Sequence, residues 1–122
     1  MGGFSYTPEE AKFAEEIQKT LTDPSDDGIG SQEKIRPMRS GAVNSFSTDY
    51  ADVSWSVPAV SMTGATFAPG LPPHSWQATA CAGSTIGVKG MMVAAKSMAL
   101  TTVDLFTDPT HTQKAKAEFD QK

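Results

Sequence analysis

Residues 83–109, GSTIGVKGMMVAAKSMALTTVDLFTDP, constrain the fold more than any other stretch. Val88, Met91, Met92, Ala95, Met98, Ala99, Val103 and Phe106 recur at helical spacing. Gly87, Gly90, Ala94 and Ser97 keep much of the remaining surface small. A helix with that much apolar and small surface is usually buried on more than one side. The chain is therefore expected to fold around it. Asp108 caps a short terminal helix that opens at Pro109, with Ala115 and Phe119 facing inward.

The opening segment YTPEEAKFAEEIQKTL predicts a second amphipathic helix. Thr7 is its cap, Pro8 fits the first turn, and Glu10 completes a capping box. Ala11, Phe13, Ala14, Ile17 and Leu21 form one apolar stripe, while Lys12, Glu15, Glu16 and Lys19 lie off it. TDPSDDGIGSQ ends the helix in a polar loop. Residues 31–46 show no clear period and read as irregular or as a short extended piece. DVSWSVP alternates, with Val53, Trp55 and Val57 on one face, and reads as a strand ended by Pro58. AVSMTGATF is a second extended segment, in which Gly64 marks a bend or the close approach of a ligand or another backbone. APGLPP then makes a stiff loop, because each proline fixes its own φ and restricts its neighbour.

The expected class is α/β: a helix, two strands of a mixed sheet, a long buried helix and a short terminal helix. Two strands do not make an independently stable sheet. The long helix also offers more apolar face than the other elements can cover. The pattern reads as a piece of a larger α/β layer, and the helix start close behind Met1 reads as a chain cut from something longer.

Composition narrows the function. The 122 residues carry a net charge of -4 and no basic block, which argues against nucleic acid or an anionic membrane as partner. The single Cys81 rules out an internal disulfide and a cysteine-based zinc knuckle, and favours the cytoplasm. No apolar run reaches the roughly 20 residues of a membrane span, and the N-terminus lacks a signal-peptide pattern.

Individual side chains leave alternatives open. His74, in FAPGLPPHSWQ, is either a structural hydrogen-bonding histidine or a metal ligand whose ring Pro72 and Pro73 help to fix. His111 reads as solvated. Asp49 and Asp52, ahead of the first strand, are turn formers or functional carboxylates, and Ser47 and Thr48 could donate hydrogen bonds to a ligand. AGSTIGVKG lacks the phosphate-loop pattern, Lys89 and Lys96 read as the solvated side of the long helix, and Cys81 as inert. Catalytic zinc generally takes three protein ligands, and no such set can be assembled from this chain.

Taken together, the stretches STD then DVSW, PG-x-P-x-HSWQ, and KGM then AAK resemble the C-terminal part of the aminobenzoyl-glutamate utilization protein B family. The opening helix EEAKFAEEIQ is similar to the segment by which that family re-enters its catalytic domain. The family belongs to the zinc aminoacylase and glutamate carboxypeptidase superfamily, so the resemblance implies a two-zinc exopeptidase-like α/β sandwich. On that basis residues 1–122 correspond to the C-terminal segment of the catalytic domain, without the inserted lid and dimerisation domain or the N-terminal metal-binding half. His74 becomes the last zinc ligand, and Ser47, Thr48 and Asp49 line the substrate pocket. The implied chemistry is hydrolysis of N-acyl amino acid or aminobenzoyl-glutamate-like amides, with zinc polarising the scissile carbonyl and a glutamate relaying the proton. That glutamate has no counterpart in this chain. The chain alone is thus expected to bind zinc weakly, to be inactive, and to need its missing half or self-association. The rival expectation is a self-associating interaction protein that keeps the scaffold without the chemistry.

Overall fold

The computed structural model describes residues 3–23, 26–37 and 48–121. Among these the chain is helical, with α1 at Pro8–Gln18, a single 3-10 turn at Ser31–Glu33, α2 at Tyr50–Ser56, α3 at Trp76–Ala82, α4 at Thr85–Thr107 and α5 at Pro109–Phe119. No strand occurs among the described residues. The expected α/β sandwich with two mixed-sheet strands is therefore corrected to an all-helical arrangement.

The correction is sharpest at DVSWSVP. Residues 50–56 form α2 rather than a strand. The serines that resembled a strand's polar face bond back along the helix. Ser54 Oγ donates to the Ala51 carbonyl at 2.8 Å, and Ser56 Oγ donates to the Asp52 carbonyl at 3.3 Å. A strand needs a neighbouring strand for its backbone groups, whereas a helix satisfies most of its own. The second strand candidate, residues 59–67, has no regular secondary structure.

The chain divides into two compact units. The first comprises residues 1–36 and 63–97 and holds the core. Thr7 caps α1 as expected: the Glu10 N–H donates to Thr7 Oγ1 at 3.2 Å, and the Thr7 N–H donates to Glu10 Oε2 at 2.8 Å. The predicted stripe is the buried face, with Ala14 and Ile17 buried and Phe13 and Leu21 packed beside them. Cys81 from α3, Ile86 from α4, and Ala68 and Leu71 from the intervening segment complete the cluster.

The segment from Gly64 to Leu71 lies across the start of α4 because the helix presents glycine there. A Cβ on Gly90 would stand 2.4 Å from the Ala65 carbonyl oxygen, and one on Gly64 would stand 3.3 Å from the Gly90 carbonyl oxygen. The expectation that Gly64 marks a close backbone approach holds, and α4 is the backbone it meets. Gly87 is equally confined, since a Cβ there would fall 2.2 Å from the Ala82 carbonyl oxygen.

The long helix is less buried than its composition predicts. Only Ile86, Gly87 and Gly90 of α4 are buried, whereas Val88, Met91 and Met92 remain about half exposed. Periodicity identifies which side chains share a face but does not supply a neighbour to cover it.

The second unit comprises residues 37–62 and 98–122, so the boundary falls within α4. Its described helices are α2, the end of α4, and α5. Asp108 caps α5, accepting the Thr110 N–H at 2.9 Å, and Pro109 occupies the first turn, as predicted. Ala115 and Phe119 are its half-buried positions, also as predicted. Trp55 of α2 is 83% exposed.

Gly90→Ala tests the close approach. Helix propensity alone would give a gain of about 1 kcal/mol. The clash with fixed backbone reverses the sign, and the expected outcome in urea denaturation is a loss of about 1–3 kcal/mol. Gly83→Ala, where the nearest atom is 3.6 Å away, is expected to cause no loss.

Candidate functional site

The loop that carries His74 is held at several points. Gln18 Nε2, at the end of α1, donates to the Pro69 carbonyl at 2.8 Å and to the Asp27 carbonyl at 3.2 Å. Gln77 Nε2 donates to Thr20 Oγ1 at 3.2 Å. The buried Leu71 anchors the loop in the core, and its N–H donates to the Ala68 carbonyl at 3.3 Å. Ser75 caps α3, accepting the Ala78 N–H at 3.1 Å while its own hydroxyl donates to the Pro72 carbonyl at 2.8 Å.

Between these ties His74 adopts a φ of 62°, the one positive φ at a non-glycine residue among those described. A side chain in this left-handed region costs about 1–2 kcal/mol. Such strain persists where surrounding contacts impose it, and it clusters at functional positions. The imidazole is exposed, beside exposed Pro72 and Pro73, and Trp76 is 61% exposed. His74 is thus presented to solvent from a stiff mount rather than sealed in the core.

The other expected site residues fall in the second unit or outside the described residues. Ser47 lies outside the described residues. Thr48 and Asp49 form the turn that enters α2 in the second unit. Thr48 Oγ1 accepts the Tyr50 N–H at 3.3 Å, and Asp49 holds the cap position without a side-chain capping bond. His74 belongs to the first unit. Among the described residues no group of three or more His, Cys, Asp or Glu could hold a metal ion.

A charged cluster that sequence spacing did not reveal joins α1 to α4. The buried Glu10 accepts Thr85 Oγ1 on Oε1 at 2.6 Å and Lys89 Nζ on Oε2 at 2.6 Å, besides the Thr7 N–H. Lys89, read from sequence as merely solvated, is instead half-covered and paired. The hydrogen bonds from Lys89, Thr85 and Thr7 hold the Glu10 carboxyl down to about 2. A carboxylate so fully occupied is a poor proton acceptor at neutral pH, so this cluster ties the helices together rather than doing acid–base chemistry. The one available signal was Glu10 itself, already engaged in a capping box.

Cys81 is fully buried, and burial pushes its thiol up, against the lowering effect of a backbone hydrogen bond with Ala68. That agrees with its reading as inert. Burial, then the neighbouring Cys81 and Glu10, push the Tyr6 phenol up to about 12. Its hydroxyl is buried without a hydrogen-bond partner among the described residues. His111 is exposed, with Nε2 3.7 Å from Asp108 Oδ2.

Comparison with known proteins places this geometry in context. The chain is 33% identical, over 139 aligned positions, to one of the subunits of p-aminobenzoyl-glutamate hydrolase from Escherichia coli (strain K12). The match supports the family of that hydrolase subunit. It takes in 95% of this chain but 29% of that relative, so the chain spans less than a third of the relative's length. No family model matches, and no solved structure matches. No described helix is long and apolar enough to cross a membrane.

Two outcomes are expected from this geometry. His74→Gly removes the cost of a side chain at positive φ and should raise stability by about 1 kcal/mol in chemical denaturation. A value at or below wild type would show that position 74 is not strained. Glu10 sits at about 2 against an ordinary 4.5. Its stabilising contribution is therefore complete above about pH 4.5 and fades as the pH falls toward 2. Glu10→Gln should lower the neutral-pH melting temperature and flatten its decline over that window.

Proposed function

We propose that this chain is the C-terminal segment of the catalytic domain of a metal-dependent amidohydrolase that cleaves N-acyl amino acid or aminobenzoyl-glutamate-like amides. The observation that carries the reading is the match across 95% of the chain to a protein whose name specifies p-aminobenzoyl-glutamate hydrolysis. His74, fixed at φ 62° and open to solvent, is the group in this chain we assign to a metal centre.

The described residues do not fit a complete zinc site, because no group of three ligating side chains comes together among them. His74 is therefore proposed as one ligand, with the other ligands and the general base supplied by polypeptide outside this chain. No catalytic step is assigned to residues 1–122, and the chain alone is proposed to be inactive. Ser47, Thr48 and Asp49 are assigned to substrate contact on the resemblance alone. The proposed compartment is the cytoplasm, in keeping with a single, buried, unpaired cysteine.

The rival reading is a self-associating scaffold without chemistry, and the half-exposed Val88, Met91 and Met92 favour it. Supplying the missing half in trans separates the two: recovery of zinc-dependent amide hydrolysis that His74→Ala abolishes supports the fragment reading, and failure of two well-folded halves to reconstitute favours the scaffold.

The direct test replaces the matched stretch of the Escherichia coli relative with this chain. The chimera is expected to hydrolyse p-aminobenzoyl-glutamate and to retain zinc through dialysis. His74→Ala in the chimera should cut hydrolysis by about 100-fold or more and lower the retained zinc. A chimera whose zinc content and rate are indifferent to His74→Ala would remove His74 from the metal centre.

A further inference from the structure

The stretch between α1 and the 3-10 turn holds the sequence's only Asp-Gly step, Asp27–Gly28. Such a step is able to modify itself, because glycine leaves its own nitrogen unshielded and lets the backbone rotate toward the preceding carboxyl group. The fold leaves room for this. Gly28 is exposed, and a Cβ built on it would meet nothing within 4 Å. The Asp27 side chain is 39% exposed, so water reaches it. Two contacts bear on the step. The Arg36 guanidinium donates to Asp27 Oδ2 at 2.7 Å, a bond that restrains rotation of the carboxyl group. The Asp27 carbonyl accepts Gln18 Nε2 at 3.2 Å, and the same nitrogen donates to the Pro69 carbonyl at 2.8 Å.

The chemistry needs only water. The Gly28 nitrogen bonds to Asp27 Cγ, the carboxyl hydroxyl departs with the amide proton as water, and a cyclic imide closes. Water then adds to either imide carbonyl. Breaking the bond from Cγ to nitrogen restores aspartate. Breaking the bond from the main-chain carbonyl carbon to nitrogen leaves the chain running through Cβ and Cγ, which is isoaspartate. Nothing is oxidised, and no atom is gained or lost overall. The main chain is longer by one methylene, the former Asp27 carbonyl becomes a free carboxylate, and the group that paired with Arg36 becomes a neutral amide. The Arg36 pair is lost and the acceptor of Gln18 is displaced.

We propose that Asp27–Gly28 is a self-modification site that converts to isoaspartate in the folded chain, slowed by Arg36, and that conversion loosens the Gln18 bridge to the loop carrying His74. Gln18 ties residue 27 to Pro69, and Leu71 anchors the same loop just ahead of His74. With its second acceptor displaced, Gln18 no longer fixes the Pro69 carbonyl against a rigid partner.

Ageing the folded chain in mildly alkaline buffer tests this without reading activity. Isoaspartate is tagged with an isoaspartyl methyltransferase and located by peptide mass spectrometry, and circular dichroism confirms that each variant keeps its helix content. Wild type should accumulate the tag at residue 27. Gly28→Ala, whose methyl group enters open space, should cut the rate about tenfold by restricting the backbone rotation that ring closure requires. Arg36→Ala should raise it about two- to fivefold, the range open to an exposed ion pair. In the purified isoaspartyl chain, amides from Leu71 to Ser75 should exchange with solvent about two- to tenfold faster than in fresh chain, the span of one lost hydrogen bond. Gln18→Ala should reproduce that acceleration. A tag at residue 27 that forms only in urea-unfolded chain would overturn the site. An unchanged rate in Arg36→Ala would overturn the restraint, and unchanged exchange in the isoaspartyl chain would overturn the link to the His74 loop.

Discussion

The first unit depends on one close approach: the backbone at Gly64 to Thr66 resting on α4 at Gly90. The space there does not accommodate a methyl group, since a Cβ on Gly90 would fall 2.4 Å from the Ala65 carbonyl. That contact positions the segment leading to Ala68 and Leu71, which enter the core with Ile86 and Cys81. Leu71 in turn anchors the loop that ends in His74. Small side chains on α4 thus do more than reduce its bulk. They let an irregular strap of chain lie close enough for its apolar residues to reach the cluster, and the strap carries the exposed histidine.

The Glu10 cluster acts in parallel. The carboxylate is buried, which alone would be costly, but Lys89, Thr85 and a backbone N–H satisfy it. Its worth lies less in net stability than in register, because one carboxylate binds the N-terminal turns of two helices at once. The core beside it is thin: Ile86 and Cys81 are its largest fully buried side chains. With so little apolar volume to specify the packing, a fully paired buried charge fixes how α1 meets α4.

Local signals were legible, and signals that depend on neighbours were not. Thr7, Pro8 and Glu10, like Asp108 and Pro109, act within one turn of chain, and both helix starts read correctly from the sequence. The stripe of α1 read correctly because its partners lie within the same unit. The alternation at Val53, Trp55 and Val57 misled because a period of two over so few residues also suits a short helix whose serines bond backwards. The sequence pattern drew no reading for the α3 segment, although Ser75 stands at the right distance to cap Ala78. The Glu10–Lys89 pair spans 79 positions, beyond any spacing rule. His74 was legible as a residue of interest, but its positive φ was not, because the sequence there offers no glycine to announce it.

The chemistry of such a chain is best sought among polar groups that folding has not already occupied. Glu10 is saturated, Cys81 is enclosed, and Thr48 is turned toward the backbone of its own turn. His74 differs on each count: it is exposed, and it is held in a backbone conformation that its own side chain disfavours. The ties at Pro69, Leu71, Ser75 and Gln77 impose that conformation from both sides. A histidine needed only for solubility would gain nothing from being held there, and glycine would occupy the same turn at lower cost. The metal-ligand role proposed for His74 would draw on that mount, since an imidazole that must point in one direction gains a fixed origin for its ring.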